Sequence, residues 1–173
     1  FNDGNDSGWT RLNPLAAVGG SANYSFPGGN TYRIQTGASP NPAAFGQSRA
    51  GSLRSDIDHG AFRVSVDIAG ADPALQQDFG ILTRVSSPGL GTLNGYSATF
   101  DSDEEKLYLS RVDAEQATTL ESVLVPVEEG KIYRIVFHGY QDQFLVEVFD
   151  VTDLTTPVVS ISGSDGTYSE GST

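Results

Sequence analysis

Hydrophobic and polar side chains alternate without interruption over residues 61–68, AFRVSVDI. A β-strand has a two-residue side-chain period, so the four large apolar residues from Phe62 to Ile68 fall on one face and the polar residues between them on the other. The same pattern returns repeatedly along the chain, with no convincing helix between the copies. The pattern therefore predicts an all-β protein.

We expect about eleven strands at spacings near ten residues, separated by turns rich in glycine and proline. They are predicted over residues 23–26, 31–36, 49–54, 61–68, 78–85, 95–100, 106–112, 118–125, 132–138, 143–151 and 157–162. A helical turn is expected only around Pro73 and Ala74, and segment 113–120 carries too few apolar residues at helical spacing to form a helix. This spacing is typical of an antiparallel two-sheet β-sandwich.

Length and composition indicate a single globular domain over residues 1–173, with 38% hydrophobic residues. The absence of cysteine excludes disulfides and thiolate metal sites. No apolar run approaches the roughly 20 residues of a membrane helix, so membrane insertion is not expected. The chain starts at Phe1 and contains no methionine. We therefore expect a processed protein or an excised piece, with any signal peptide outside it.

The formal net charge of −12 is unevenly distributed. Residues 1–86 carry six arginines and seven aspartates, whereas residues 87–173 carry four basic and fifteen acidic side chains. An acidic surface repels phosphate groups, so neither nucleic acid nor an anionic membrane is an expected partner. Such a surface suits solubility, calcium and neutral polymers.

Several segments carry the features of a known family. They are residues 1–9 (FNDGNDSGW), 49–52 (RAGS), 62–67 (FRVSVD), 79–85 (FGILTRV) and 95–96 (GY). The first resembles the F-x-D-G…G-W start of many bacterial extracellular jelly-roll domains. Together the segments resemble a concanavalin A-like (laminin G-like) β-sandwich of secreted bacterial proteins, some of which carry a C-terminal sorting tail. The resemblance covers nearly the whole chain and implies a jelly roll of two antiparallel sheets, a secreted or cell-surface location, and often glycan binding or adhesion.

The end of the chain departs from this pattern. Domains of this kind commonly close with a further strand after a segment like residues 165–171, whereas this chain stops at Thr173. A missing strand leaves unpaired backbone groups at a sheet edge. Three explanations stay open: a shifted alignment, a truncated piece, or a strand supplied by another chain.

The opening segment is the candidate metal site. Asp3 and Asp6 supply carboxylate oxygens in a glycine-rich loop, and calcium takes six to eight such ligands. Asp165 is expected to join them if the termini lie together, as they do in the resembled fold. The alternative is a turn in which Asx side chains bind their own backbone.

Arginine and tyrosine side chains in or beside predicted strands are the candidate glycan ligands. Arginine is costly to bury alone, and the apolar face of a sugar ring packs on an aromatic ring. We expect Arg49, Arg84, Tyr96 and Tyr108 to bind the ligand. Tyr32 and Tyr140 are the other tyrosines whose hydroxyl is expected to reach water. The alternative is that the arginines form cross-strand ion pairs and that the rings fill the core.

The chain shows no catalytic pattern. Glu147 and Asp150 are three residues apart and fall on opposite faces of a straight strand, so they cannot flank one glycosidic bond. His59 and His138 lack the spacing of a nucleophile or metal site. No enzymatic activity is expected.

The sequence therefore predicts a non-catalytic extracellular module for carbohydrate or glycoconjugate binding or for adhesion, with a glycan as its partner. The alternative is a structural subunit of an extracellular filament or matrix, in which copies of the chain exchange strands.

Overall fold

The computed structural model describes residues 3–69, 76–128 and 130–173, and β-strands make up most of it. The strands are β1 (Thr10–Leu12), β2 (Ala22–Gly28), β3 (Thr31–Thr36), β4 (Gly51–Leu53), β5 (Phe62–Ile68), β6 (Asp78–Ser86), β7 (Asn94–Asp101), β8 (Lys106–Asp113), β9 (Gln116–Leu124), β10 (Tyr133–Tyr140), β11 (Gln143–Asp150) and β12 (Val159–Ser164). Helical structure within these ranges is limited to a 3₁₀ turn (Ala16–Val18) and the helix α1 (Pro42–Phe45). The helical turn expected around Pro73 and Ala74 lies outside the described residues. No helix of the described ranges is long and apolar enough to cross a membrane.

Two antiparallel sheets of four strands form the body of the molecule. Sheet I has the strand order β12-β11-β10-β5, and sheet II has the order β6-β7-β8-β9. The inward side chains of both sheets meet in one apolar core. The prediction of an all-β, antiparallel two-sheet β-sandwich is confirmed.

Side-chain alternation determines which residues enter this core. In β10, Ile135 and Phe137 are buried and lie opposite Val66 and Val64 of β5 in the register of sheet I. Outward neighbours such as His138 are only half-buried. A slip of one residue would turn the apolar set of a strand toward solvent, so the alternation also fixes the register.

A second apolar cluster lies on the outer face of sheet II. Leu12 of β1 and Leu53 of β4 pack there with Val85, Leu93 and Val112. The strands β1 and β4 pair with each other, and β2 pairs with β3. We call these four strands and the residues that connect them the N-terminal layer, which covers one end of sheet II.

The prediction from the alternation missed three short elements of the N-terminal layer: the 3₁₀ turn, β1 and α1. Strand β1 pairs only with β4. With three residues, β1 is too short to show a recognisable alternation of apolar and polar side chains. Helix α1 lies in a segment predicted to be a loop. Its N-cap Asn41 accepts a hydrogen bond from the Ala44 backbone N–H at 3.2 Å, and Pro42 follows at the first helical position.

The residues after β12 lie along the edge of sheet II. Ser172 forms an antiparallel bridge with Val85 of β6, with N–O distances of 2.7 and 3.0 Å. The backbone N–H of Arg54 donates to the carbonyl of Thr173 at 2.6 Å. The end of the chain thus pairs with the edge of sheet II at this bridge, and the alternative of a filament built by strand exchange is unsupported.

Candidate functional site

A shallow groove of about 550 Å³ lies at the end of sheet I where the β10–β11 hairpin turns beside the start of β5. It is lined by Ala61, Phe62, Arg63, His138, Gly139, Tyr140, Gln143, Phe144 and Leu145. A phenol ring, a guanidinium, an imidazole and an amide meet there. These groups can stack on a sugar ring and form hydrogen bonds with its hydroxyls. We call it the hairpin groove.

The tight turn of the hairpin positions this groove. Tyr140 and Gln143 are paired in the register, so Gln141 and Asp142 form a two-residue turn. Gln141 has a φ of +53°, as the first position of a tight hairpin turn requires. The backbone N–H of Asp165 donates to the Asp142 carbonyl at 2.9 Å and anchors the turn.

Gly139 makes room for an aromatic ring on the core side of sheet I, beneath the floor of the groove. A Cβ at this position would lie 2.3 Å from Cε1 of Phe62, so that ring occupies the space of a side chain at position 139. Phe62 also meets Phe137 edge to face, with ring centres 5.2 Å apart. Phe62 therefore both lines the groove and belongs to the core of the sandwich.

Tyr140 is the one exposed aromatic residue of the described chain, with 66% of its surface accessible. His138 lies two residues earlier on the same face of β10. It is opposite Arg63 of β5 on one side and Leu145 of β11 on the other. One row of neighbouring side chains therefore runs across the outer face of sheet I beside the exposed ring.

Two groups of this row differ in their partners. Nε2 of His138 lies 3.3 Å from Oε2 of Glu147. Arg63, by contrast, is exposed, and no carboxylate lies within 4.0 Å of its guanidinium in the described part of the chain. Its donors therefore face solvent.

Arg84, which the sequence predicted as a ligand-binding residue, lies behind the hairpin groove. It is only 1% exposed, and its guanidinium donates to the carbonyls of Gly60 (3.1 and 2.5 Å) and Tyr168 (2.8 Å). Its Cζ atom lies 5.6 Å from the ring centre of Phe62 and 5.1 Å from that of Phe144. Burial lowers the pKa of Arg84. This placement corrects the prediction: Arg84 supports the groove floor and is not accessible to a ligand.

Tyr96 is also buried, with none of its surface exposed. Its ring centre lies 4.4 Å from that of Phe144, and its hydroxyl donates to Oδ1 of Asp165 at 2.7 Å. Burial, assisted by the neighbouring Asp165 carboxylate, raises the pKa of Tyr96 to about 12. This prediction is corrected in the same way, because a buried ring offers no face to a ligand.

Asp165 is bound by protein groups. Its carboxylate accepts hydrogen bonds from the Thr167 backbone N–H (2.9 Å), the Tyr96 hydroxyl and Nη1 of Arg111 (2.8 Å). Burial opposes ionisation, but these hydrogen bonds outweigh it and lower the pKa of Asp165 to about 2. The side chain therefore ties the segment after β12 to sheet II.

The three expected calcium ligands do not lie together. Asp6 is paired with Arg11 at 2.6 Å, and Asp165 is paired with Arg111. Within residues 3–69, 76–128 and 130–173, no group of three or more acidic, histidine or cysteine side chains that could hold a metal ion is found, so Asp3, Asp6 and Asp165 do not form one. Calcium binding stays a prediction.

Arg49 lies in the N-terminal layer and forms a bidentate ion pair with Glu115, at 2.8 Å from Nε to Oε1 and 2.5 Å from Nη2 to Oε2. Its Nη1 donates to the carbonyls of Phe45 and Gln47 at 2.9 and 3.0 Å. These contacts link the loop after α1 to the β8–β9 turn. All three guanidinium nitrogens already have hydrogen-bond partners, so Arg49 has little capacity left for a ligand.

Tyr108 lies half-buried on the outer face of sheet II, between Thr99 and Ser122 in the register. Its hydroxyl donates to Glu104, and Nζ of Lys106 lies 6.0 Å from its ring centre. Tyr108 is thus the one residue of the predicted ligand set that combines an accessible ring with an open sheet face, although its hydroxyl is already engaged.

The residues of the hairpin groove were not the ones selected from the sequence. The alternation correctly places Arg63 and His138 on outward faces, and Tyr140 was expected to reach water. Their proximity depends on the pairing of β5 with β10, which are distant in sequence. That pairing has no local signal, so the groove could not be assembled from the pattern alone.

Comparisons with known proteins point to one architecture. No family model matches the chain, and no curated protein matches it. The fold is similar to that of the carbohydrate-binding module CBM66 from Bacillus subtilis, with a TM-score of 0.62 and 20% sequence identity. The match covers 97% of this chain and 86% of that module.

Proposed function

We propose that this protein is a non-catalytic carbohydrate-binding module and that the hairpin groove is its binding site. The observation that carries the proposal is the exposed ring of Tyr140, which lines the same groove as Arg63, a residue whose guanidinium has no carboxylate partner in the described part of the chain. A sugar ring stacked on Tyr140 would have hydroxyls within reach of Arg63 and Gln143, which line the same groove. An exposed aromatic ring flanked by donors is the arrangement that binds a polar ring with apolar faces.

The fold similarity to CBM66 supports this proposal, because that protein is a carbohydrate-binding module. We extend the proposal to an extracellular location and to a concanavalin A-like classification of the sandwich. Both carboxylates weighed as catalytic groups lie beside basic side chains: Oε2 of Glu147 is 3.3 Å from Nε2 of His138, and Oδ2 of Asp150 is 3.2 Å from Nζ of Lys131. These contacts favour binding over hydrolysis.

A binding experiment on a panel of soluble polysaccharides and oligosaccharides tests the proposal. We expect the wild-type protein to bind at least one member in affinity gel electrophoresis or isothermal titration calorimetry. Tyr140→Ala is expected to weaken this binding by about tenfold or more, because it removes the stacking surface. Tyr140→Phe keeps the ring and is expected to retain most of the affinity.

Tyr108→Ala is the matched control, since it removes an accessible ring from the other sheet. It is expected to bind as the wild type does. Loss of binding in Tyr108→Ala with normal binding in Tyr140→Ala would place the site on sheet II and overturn the assignment to the hairpin groove. Absence of binding to every member of the panel would overturn the proposed function itself.

A further inference from the structure

The basic side chains of this acidic chain are almost all engaged. Seven of the ten form ion pairs with carboxylates: Arg11, Arg49, Arg54, Lys106, Arg111, Lys131 and Arg134. Arg84 is buried against backbone carbonyls. Arg33 and Arg63 are the two for which neither a carboxylate partner nor a hydrogen-bonded carbonyl is found among the described residues. With 22 acidic residues available, an unpaired guanidinium inside a groove indicates a group kept available for a ligand.

Two carboxylates share the outer face of sheet I with Arg63. Asp67, four residues along the same face of β5, accepts two hydrogen bonds from Arg134 at 2.5 and 2.8 Å. Glu147 is close to His138, the residue opposite Arg63 in the register. A move of Asp67 toward Arg63 would break its two hydrogen bonds with Arg134, so the exposed guanidinium of Arg63 is the accessible positive charge of the groove.

We propose that the hairpin groove selects a saccharide that carries a carboxylate, such as a uronic acid unit; this inference rests on the proposed function. The planar guanidinium of Arg63 forms two parallel hydrogen bonds with the carboxylate, and the sugar ring stacks on Tyr140. Arginine is suited to this task because its donors match the geometry of a carboxylate.

The net charge of −12 limits the ligand to few acidic units. At about 0.15 M salt the Debye length is about 8 Å, so distant carboxylates of the protein are screened while the contact with Arg63 is retained. A long polyanion would still lie against the acidic surface. The groove is therefore expected to bind a single acidic unit or the end of a chain.

The experiment compares acidic oligosaccharides with their own neutral forms. The probes are tetramers of galacturonate, mannuronate and glucuronate-containing repeats, each paired with its carboxyl-reduced counterpart and measured by isothermal titration calorimetry at physiological salt. We expect at least one acidic probe to bind about tenfold more tightly than its reduced form. Arg63→Gln is expected to abolish this difference. Arg33→Gln, which changes the other unpaired arginine outside the groove, is expected to preserve it.

The outcomes separate this inference from the proposed function. Equal affinity for the acidic and reduced forms, with loss of both in Tyr140→Ala, overturns the carboxylate selectivity and leaves carbohydrate binding intact. A preference that survives in Arg63→Gln overturns the role of Arg63. Failure of every acidic and neutral probe, together with failure of the polysaccharide panel, overturns both.

Discussion

At the scale of single residues, the strand arginines differ according to what the neighbouring strand places beside them. Arg134 lies opposite Asp67 and forms a bidentate ion pair, whereas Arg63 lies opposite His138 and has no acidic partner within the described ranges. The two-residue period predicts that both face outward. It does not say which residue lies across the sheet, so the same sequence signal leads to a structural ion pair in one case and to a candidate ligand contact in the other.

The half-buried Asp165 gives a prediction about acid stability. Its pKa is about 2 in the folded protein, below its ordinary value of 3.8. As the pH falls, the Asp165 carboxylate is therefore protonated in the unfolded chain before it is protonated in the folded protein. The contribution of Asp165 to the free energy of unfolding is full above about pH 5 and is lost as the pH falls from about 4 toward 2. Asp165→Asn is therefore expected to lose less stability than the wild type between about pH 6 and pH 2.5, as measured by urea denaturation.

The matched control for this prediction is Asp58→Asn, which changes an exposed carboxylate. It is expected to follow the wild-type pH dependence. If Asp165→Asn loses as much stability in acid as the wild type does, the carboxylate is not held by Arg111 and Tyr96 as the structure shows.

At the scale of elements, the β6–β7 pair depends on one glycine. A Cβ at Gly80 would lie 2.0 Å from the carbonyl oxygen of Ala98 and 2.8 Å from Cα of Thr99. Both contacts are with the backbone of the paired strand, which cannot move aside as a flexible side chain can. Sheet II therefore tolerates no larger residue at this position without separating the two strands.

Gly80→Ala is accordingly expected to lower the free energy of unfolding by about 1–3 kcal/mol, the usual range for overpacking. Gly51→Ala in β4 is the control, because a Cβ there has no heavy atom within 4 Å. Chemical denaturation of the two variants beside the wild type measures the difference. Equal stability of both variants would show that β6 and β7 are less closely apposed than described.

The elements themselves were largely predictable, and the exceptions have physical reasons. The alternation of eight residues around Val64 and Val66 needs no partner to be recognised, and β5 forms there. Strand β1 has three residues and exists because β4 pairs with it, and α1 depends on the capping side chain of Asn41. Local periodicity thus predicts long strands, whereas short elements are determined by contacts that the pattern does not contain.

At the scale of the whole molecule, the hairpin groove follows from the way the strands are ordered. The sequence neighbours of Arg63 do not include His138 or Tyr140, and only the order β11-β10-β5 brings them to one surface. The predicted ligand residues Arg84 and Tyr96 lie beneath that surface. Their residue types suited a sugar site, but burial is set by the packing of two sheets and the segment after β12, which no single strand specifies.

The N-terminal layer and the sandwich are expected to unfold together. Leu12 and Leu53 of the layer pack with Val85 and Val112 of sheet II, so neither part can open without exposing this shared cluster. Trp9 is the sole tryptophan, and the Cζ atom of Arg54, just after β4, lies 5.7 Å from its ring centre. The fluorescence of Trp9 therefore reports on the N-terminal layer, while far-UV circular dichroism reports mainly on the two sheets.

We expect both signals to give the same urea midpoint, as a two-state transition requires. Leu53→Ala removes a buried side chain from the shared cluster and is expected to lower the free energy of unfolding by about 2–4 kcal/mol, with both midpoints shifting together. Leu124→Ala, at a residue that is 64% exposed, is the control and is expected to leave both midpoints nearly unchanged. A fluorescence transition at lower urea than the circular dichroism transition would mean that the layer folds independently of the sandwich, and the single-domain prediction would then be wrong.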